Sequence, residues 1–349
     1  MADELDLVLA ALADESRPVQ RKSLLNLSNP TREAEERFMA CFSQLSAARR
    51  REVKAAMVAY AEEKFDIDYM HLFRRCLTDS DAEVRCSAIE GLWEDERLDL
   101  VRPLLRLLAS DPSVQVRAAA AASLGRFVFL GECDELPKHY GEAIRNSLEA
   151  VVANTAEDIE VVRRAIESLA YINDSRIREL IDRAYEHSDP RMKQSALFAM
   201  GRSADRFWAE IVLEELRSPF PAMRYEASRA CGEMELRRAV EPLIALTDDP
   251  DREVQVIAIW ALGQGGGKRA KRALERLLLS EDEAVVAAAD EALEYLSFGS
   301  ESFDLLVHEL DAEQEDFIVV GPEDALDEEI ADATVDDTDW PDEFLDIDS

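Results

Sequence analysis

Histidine, cysteine and glycine are the residues of this 349-residue chain whose types and spacing could support catalysis or metal binding. No histidine has a second ligand at zinc spacing, and no two cysteines form a C-x-x-C pair. The run Gly265–Gly267 precedes Lys268 and Arg269, whereas a phosphate-binding loop needs lysine followed by serine or threonine. The histidines are His71, His139, His187 and His308, and the cysteines are Cys41, Cys76, Cys86, Cys133 and Cys231. We therefore predict no catalytic, metal or cofactor-binding residue, and interpret the cysteines as structural thiols.

Charge is divided unevenly along the chain, whose formal net charge is −35. Residues 299–349 hold 20 of the 75 acidic residues and none of the 40 basic ones, so residues 1–298 carry 55 acids against 40 bases. General binding to nucleic acid or to an anionic membrane needs a basic surface, and neither is expected here. The first residues lack a basic leader, and no apolar run approaches the roughly 20 residues that span a bilayer. These features predict a cytoplasmic protein.

One pattern recurs along most of the chain. An aliphatic residue is followed four positions later by a small residue, and eight positions later by an aliphatic residue or cysteine, as in DPSVQVRAAAAASLG (111–125). The starts of this pattern are Val19, Val53, Val84, Val116, Val161, Met192, Met223, Val254 and Val285. Their spacings are 34, 31, 32 and 45 residues, then 31 residues four times. Positions 0, +4 and +8 share one helical face, so the pattern predicts the core stripe of a repeated helix.

Each period also holds an earlier amphipathic segment, such as 100–110 or 239–249, which predicts a first helix paired with the second. The turn between the two carries aspartates that we expect to cap the second helix, namely Asp79, Asp111, Asp189 and Asp249. Glycine at +9 indicates close helix approach or a helix end. About nine such pairs over residues 1–298 predict an all-α solenoid.

The 31-residue period, the V-R-x-x-A-x-x-x-L-G second helix and the E-P-L-I-A-L first helix resemble the HEAT-like repeats named after phycobilisome lyases. The resemblance covers about residues 1–297 and implies an armadillo-like α-solenoid, or alpha-alpha superhelix. Such repeats occur in scaffolds, adaptors, lyase subunits and DNA-repair proteins, so the resemblance implies a fold rather than one function.

The 45-residue spacing from Val116 to Val161 marks an insertion at about 126–141. We expect Arg126–Gly131 to extend the preceding helix and Cys133–Tyr140 to form a loop. The insertion is either a tolerated surface feature or a loop that reaches over the concave face.

The second helices of curved helical repeats line the concave surface, and positions +2 and +6 should face away from the core stripe. In the C-terminal half, these positions give a predicted protein-binding site of Arg163, Phe198, Tyr225, Arg229 and Trp260. Exposed aromatic residues and arginine are typical of interface hot spots. Alternatively, the aromatic side chains fill the grooves between adjacent helices. Earlier repeats place small residues such as Ala118 and Ala122 there, which predicts a featureless surface.

Two further sets of residues have structural interpretations. A basic residue recurs at +1, in Lys54, Arg85, Arg117, Lys193 and Arg224. We expect it to bind the acidic residues in the turn of the neighbouring repeat, rather than to form a nucleic-acid ladder. Trp93 and Trp208 are predicted to be packing residues.

Residues 299–349 are predicted to be a largely disordered acidic tail, in which Ser302–Leu310 could form a last capping helix. Such a tail either keeps the protein soluble or binds a basic protein or the chain's own Lys268–Arg272 patch. Taken together, the sequence predicts a non-catalytic scaffold or adaptor that binds protein partners through its concave face. An accessory or lyase-type subunit acting on a tetrapyrrole-bearing protein is the alternative.

Overall fold

The computed structural model describes residues 4–64 and 66–297, which form 18 α-helices and no β-strand. The α-helices are α1 Glu4–Ala13, α2 Arg21–Leu24, α3 Arg32–Phe42, α4 Ala47–Glu63, α5 Met70–Cys76, α6 Ala82–Glu90, α7 Val101–Ser110, α8 Val114–Glu132, α9 Lys138–Ala153, α10 Ile159–Leu169, α11 Ser175–Tyr185, α12 Pro190–Arg202, α13 Ala209–Glu215, α14 Pro221–Glu233, α15 Val240–Leu246, α16 Arg252–Gly265, α17 Gly267–Leu277 and α18 283–297. Short 3-10 helices lie at Leu25–Leu27, Leu98–Leu100, Arg206–Trp208 and Arg237–Ala239. The predicted tail and capping helix lie outside the described residues.

The helices form nine successive pairs, as the repeat predicted. From α4 to α16 each even-numbered helix packs against the next even-numbered one, so the second helices form a layer of their own. Their core stripe is buried, for example at Val116, Ala120 and Leu124. Each fully buried large aliphatic side chain contributes about 1.5–3 kcal/mol, and this stripe therefore holds the two layers together. The first pair departs from the rule, because α2 has only four residues.

Glycine at +9 allows neighbouring second helices to approach closely. A Cβ atom built on Gly201 would lie 2.6 Å from the Cα of Ala230, and one built on Gly263 would lie 3.0 Å from the Cα of Ala292. In α18 the same position is Glu294, whose bulk prevents a further helix from packing as closely.

Replacing Gly201 with alanine is expected to lower the free energy of unfolding by about 1–2 kcal/mol, because α12 and α14 must move apart. Gly131 is the matched control. A Cβ atom built there meets nothing closer than Leu136 Cδ2 at 3.8 Å, so Gly131→Ala should leave stability unchanged or raise it by up to about 1 kcal/mol. Thermal melts followed by circular dichroism measure both, and equal effects of the two substitutions would contradict this account of Gly201.

The basic residues at +1 bind acids of the next repeat in four of five cases, and in three of these the acid lies in the turn, as predicted. Arg85 donates from Nε and Nη2 to Asp111 at 2.8 and 2.7 Å, and Arg224 binds Asp249 in the same way at 2.7 and 2.8 Å. The other two pairs join Arg117 to the turn residue Glu157 at 2.7 Å and Lys193 to Glu215, the last residue of α13, at 3.1 Å. These four ion pairs, here called the ladder, connect consecutive repeats, and the three arginine pairs are largely buried.

Lys54 is the exception, and its predicted ion pair is wrong. Its side chain is fully buried, its Nζ has no hydrogen-bond partner, and it lies 3.3 Å from the centroid of the Phe73 ring. The acid in the turn of the next repeat, Asp79, binds Arg50 instead, with Nε and Oδ2 3.0 Å apart. Because Arg50 binds the Asp79 carboxylate, the Lys54 amine contacts the face of the Phe73 ring instead.

Of the four predicted helix caps, only Asp189 is confirmed, since its side chain accepts the backbone N–H of Arg191. The N-caps of α6, α8 and α16 are Asp81, Ser113 and Asp251. The predicted caps Asp79, Asp111 and Asp249 each lie two residues earlier and accept the N–H of those cap residues. Their carboxylates organise the turn and at the same time bind the arginine of the preceding repeat.

The insertion lengthens α8. This helix continues through Arg126–Gly131 and ends at Glu132, so it has 19 residues where α12 and α14 have 13. The loop that follows is shorter than predicted, because α9 begins at Lys138 and takes in Tyr140.

Candidate functional site

The candidate surface is the outer side of the second helices α10, α12, α14 and α16, here called the second-helix surface. The predicted positions +2 and +6 do lie on the least buried side of these helices, but most of their side chains are only partly exposed. Val256, at +2 of α16, is 37% exposed. Neighbouring side chains partly cover the other side chains at these positions.

Phe198 is held between two arginines. The guanidinium carbon of Arg229 lies 4.0 Å from the centroid of the Phe198 ring, and that of Arg202 lies 5.0 Å away. Arg229 also donates to the backbone carbonyl oxygen of Phe198 at 3.2 Å and to the Glu226 carboxylate at 2.9 Å. Its side chain is only 11% exposed, so Arg229 positions the aromatic ring and offers little free charge.

Arg163 is similarly committed to contacts within the protein. Its Nε donates to Ser195 Oγ at 2.8 Å, and its Nη1 pairs with Glu160 at 2.7 Å. The Ser195 hydroxyl in turn donates to Glu167 at 2.6 Å. The three residues connect α10 to α12 beneath the surface.

Trp260 packs against the preceding repeat. A Cβ atom built on Gly232 would lie 2.5 Å from Cζ3 of the Trp260 ring, so the glycine leaves room for the indole. Phe198, Tyr225 and Trp260 are all half-buried. The structure thus brings together the predicted aromatic residues on one surface, seated partly in the grooves between helices.

Burial perturbs the acid–base chemistry below this surface. Desolvation raises the pKa of Glu226 above its ordinary value, and the nearby carboxylate of Glu167 acts in the same direction, while Arg229 opposes both. Burial also raises the pKa of the Cys231 thiol to about 12, which keeps it protonated and unreactive at neutral pH.

Two residues of this surface and one residue beside it were not predicted. Arg202 and Tyr171 lie at +10, one helical turn beyond +6, and the Nη1 of Arg202 donates to the Tyr171 hydroxyl at 3.0 Å. The ring of Phe129, in the extended part of α8, packs against Tyr171 with centroids 5.3 Å apart. The repeat register would have found the +10 residues had it been followed one turn further.

The early positions +2 and +6 hold small residues such as Ala118 and Ala122, but the prediction did not include Phe129 in the extended part of α8, which is 48% exposed. The packing role of Trp208 is confirmed by its complete burial, whereas that of Trp93 is wrong, since 61% of it is exposed.

Within residues 4–64 and 66–297, no three histidine, cysteine or acidic side chains are grouped so that they could hold a metal ion. None of the helices described is long and apolar enough to cross a membrane.

A family model described as HEAT repeats matches residues 70–138 and 209–294. The chain is therefore an α-solenoid protein that contains HEAT repeats, as the sequence predicted. The comparison with curated protein sequences gave no match.

Several solved structures are similar to this chain at low sequence identity and low TM-score. The CpcE–CpcF complex of phycocyanin lyase from Nostoc sp. PCC7120 is 18% identical, with a TM-score of 0.49, over 77% of this chain and 96% of that chain. Human deoxyhypusine hydroxylase in complex with glycerol is 18% identical, with a TM-score of 0.35, over 84% and 96%. Importin beta is 13% identical, with a TM-score of 0.37, over 84% and 51%. Similarities of this size carry no information about function.

Proposed function

We propose that the protein is a non-catalytic scaffold or adaptor that binds a protein partner through the second-helix surface. The observation that carries this proposal is the Phe198 ring, which Arg202 and Arg229 hold between them at a half-buried position. A rigid, partly exposed aromatic side chain loses little conformational entropy when a partner covers it. Tyr225 and Trp260 extend this row of aromatic side chains onto the next two repeats.

Arg163 and Arg229 contribute by holding neighbouring side chains in place, rather than by offering free charge. Since Arg163 and Arg229 already have carboxylate partners within the chain, a bound partner need not neutralise them. Contact area from Phe198, Tyr225 and Trp260 is then expected to dominate the binding energy, and the affinity should depend only weakly on salt.

The proposal is tested by quantitative affinity capture from the native proteome with the full-length chain. Proteins retained by the wild type should be lost with Tyr225→Ala/Trp260→Ala and kept with Phe207→Ala, which removes an aromatic side chain that is 62% exposed in the 3-10 helix before α13. Circular dichroism controls for folding. If the captured set is the same for all three proteins, the second-helix surface is not the binding site.

The lyase-type alternative remains a prediction from the sequence resemblance. Incubation with a tetrapyrrole-bearing protein and its free pigment, followed by absorbance of the purified acceptor, is the corresponding test.

A further inference from the structure

Two large aromatic side chains, Trp93 and Phe129, are exposed where neighbouring repeats end. Trp93 lies in the turn after α6, and Phe129 lies in the extended part of α8. Arg126 connects them, because its Nη1 donates to the carbonyl oxygen of Trp93 at 2.8 Å and Phe129 is three residues further along the same helical face. We call the surface formed by Trp93, Arg126 and Phe129 the α6–α8 edge.

The α6–α8 edge is built by the insertion. Phe129 lies beyond the point at which α12 and α14 end in the repeat register, so the added residues of α8 place its ring on the surface. The Tyr171 ring supports it at a centroid distance of 5.3 Å and an interplanar angle of 55°. The aromatic surface is therefore held in place before any partner binds.

Exposed acidic residues lie close in the chain to both rings. Two of them follow Trp93 and three follow Phe129: Glu94, Glu96, Glu132, Asp134 and Glu135. Within the part of the chain that the structure describes, none of these five carboxylates lies in an ion pair. The neighbouring Asp95 differs, since Arg74 and Arg97 both bind it. Arg126 interacts electrostatically with Asp95 and Glu96, and together with Asp95 the carboxylates near the two rings outnumber the three arginines Arg74, Arg97 and Arg126 by six to three.

We propose that the α6–α8 edge is a second interaction surface, which binds an arginine- or lysine-rich segment of a protein partner. Cationic side chains are attracted to the faces of exposed tryptophan and phenylalanine, and the five unpaired carboxylates add Coulomb attraction. The net charge of −35 steers a basic segment towards the protein and repels an acidic one. The α6–α8 edge adjoins the second-helix surface through the contact of Phe129 with Tyr171, but it lies on other helices and does not depend on the function proposed for the second-helix surface.

Fluorine NMR of the full-length chain labelled with 5-fluorotryptophan tests the proposal, because the four tryptophans report separately. The probe is a capped decapeptide of alternating arginine and serine. We expect a saturable shift of the Trp93 resonance and none for the buried Trp208. A shift confined to Trp260 or Trp340 would place the peptide elsewhere and overturn the proposal. An equal shift of the Trp93 resonance with a capped decapeptide of alternating glutamate and serine would also overturn the proposal.

Charge variants separate this surface from the general acidity of the chain. Glu94→Gln/Glu96→Gln/Glu132→Gln should weaken binding of the arginine–serine peptide about fivefold or more, and Phe129→Ala about threefold, from lost ion and cation–π contacts. The matched variant Glu179→Gln/Glu186→Gln/Glu283→Gln removes the same charge from exposed positions on α11, the turn after it, and α18. It should weaken binding less than twofold. Equal losses in the two triple variants would reject the α6–α8 edge.

Discussion

Replacing Arg85 with methionine is expected to lower the free energy of unfolding by about 3–5 kcal/mol, the largest effect of any single substitution considered for this protein. Arg85 and Asp111 have only 9% and 5% of their side chains exposed, and two hydrogen bonds of 2.8 and 2.7 Å join them. Methionine fills much of the same volume but leaves the Asp111 carboxylate buried without its cation. The Nη1 of Arg85 also donates to the carbonyl oxygen of Asp79 at 2.8 Å, and that contact is lost as well.

The matched control is Arg238→Met. Arg238 pairs with Glu210 across the surface, with 70% and 74% of the two side chains exposed, so its loss should leave the stability almost unchanged. The double variant Arg85→Met/Asp111→Leu should recover most of the lost stability, because no unpaired charge then remains. Chemical denaturation measures all three variants. A loss of less than about 1 kcal/mol for Arg85→Met would show that the ladder does not hold the repeats together.

The ladder also shows which ion pairs can be predicted from the sequence. The recurrence of a basic residue at +1 and an aspartate in the next turn predicts their pairing, and Arg85 and Arg224 confirm it. The pattern does not show that another basic residue of the same repeat can bind the same acid. Asp79 is taken by Arg50, which stands outside the pattern, and this leaves Lys54 on an aromatic ring.

For the candidate site, too, the sequence period predicts one part, and the packing of side chains determines the rest. Periodicity predicts which side of α12 and α14 faces outward, and Phe198 and Tyr225 do lie there. How far neighbouring side chains close over that side depends on the spacing between helices, which a period does not encode. The exposure of Phe129 depends on where the inserted residues stop being helical, and α8 ends just before Asp134, whose backbone is in the left-handed region with a φ of 60°.

Lys54 gives the second large prediction: Lys54→Met should raise the free energy of unfolding at neutral pH by about 2–3 kcal/mol. Burial lowers the pKa of the Lys54 amine from 10.5 to about 8, although nearby Cys76 and Asp79 oppose the change. At 1.36 kcal/mol per pKa unit, this lowering destabilises the folded protein by up to about 3 kcal/mol at pH values below 8. Methionine is uncharged, has a similar length and packs well against the Phe73 ring.

The sign of the pH dependence distinguishes this explanation from simple repacking. Between pH 8 and 10.5 the unfolded chain holds the lysine proton while the folded chain has released it, so the wild type gains stability from this group as the pH rises. The advantage of Lys54→Met should therefore be full at pH 7 and should shrink by pH 10, as measured by chemical denaturation at each pH. Lys22→Met, at an exposed position, is the control and should show no such convergence. An advantage that stays constant across this range would mean that methionine packs better than lysine, and that the buried charge carries no penalty.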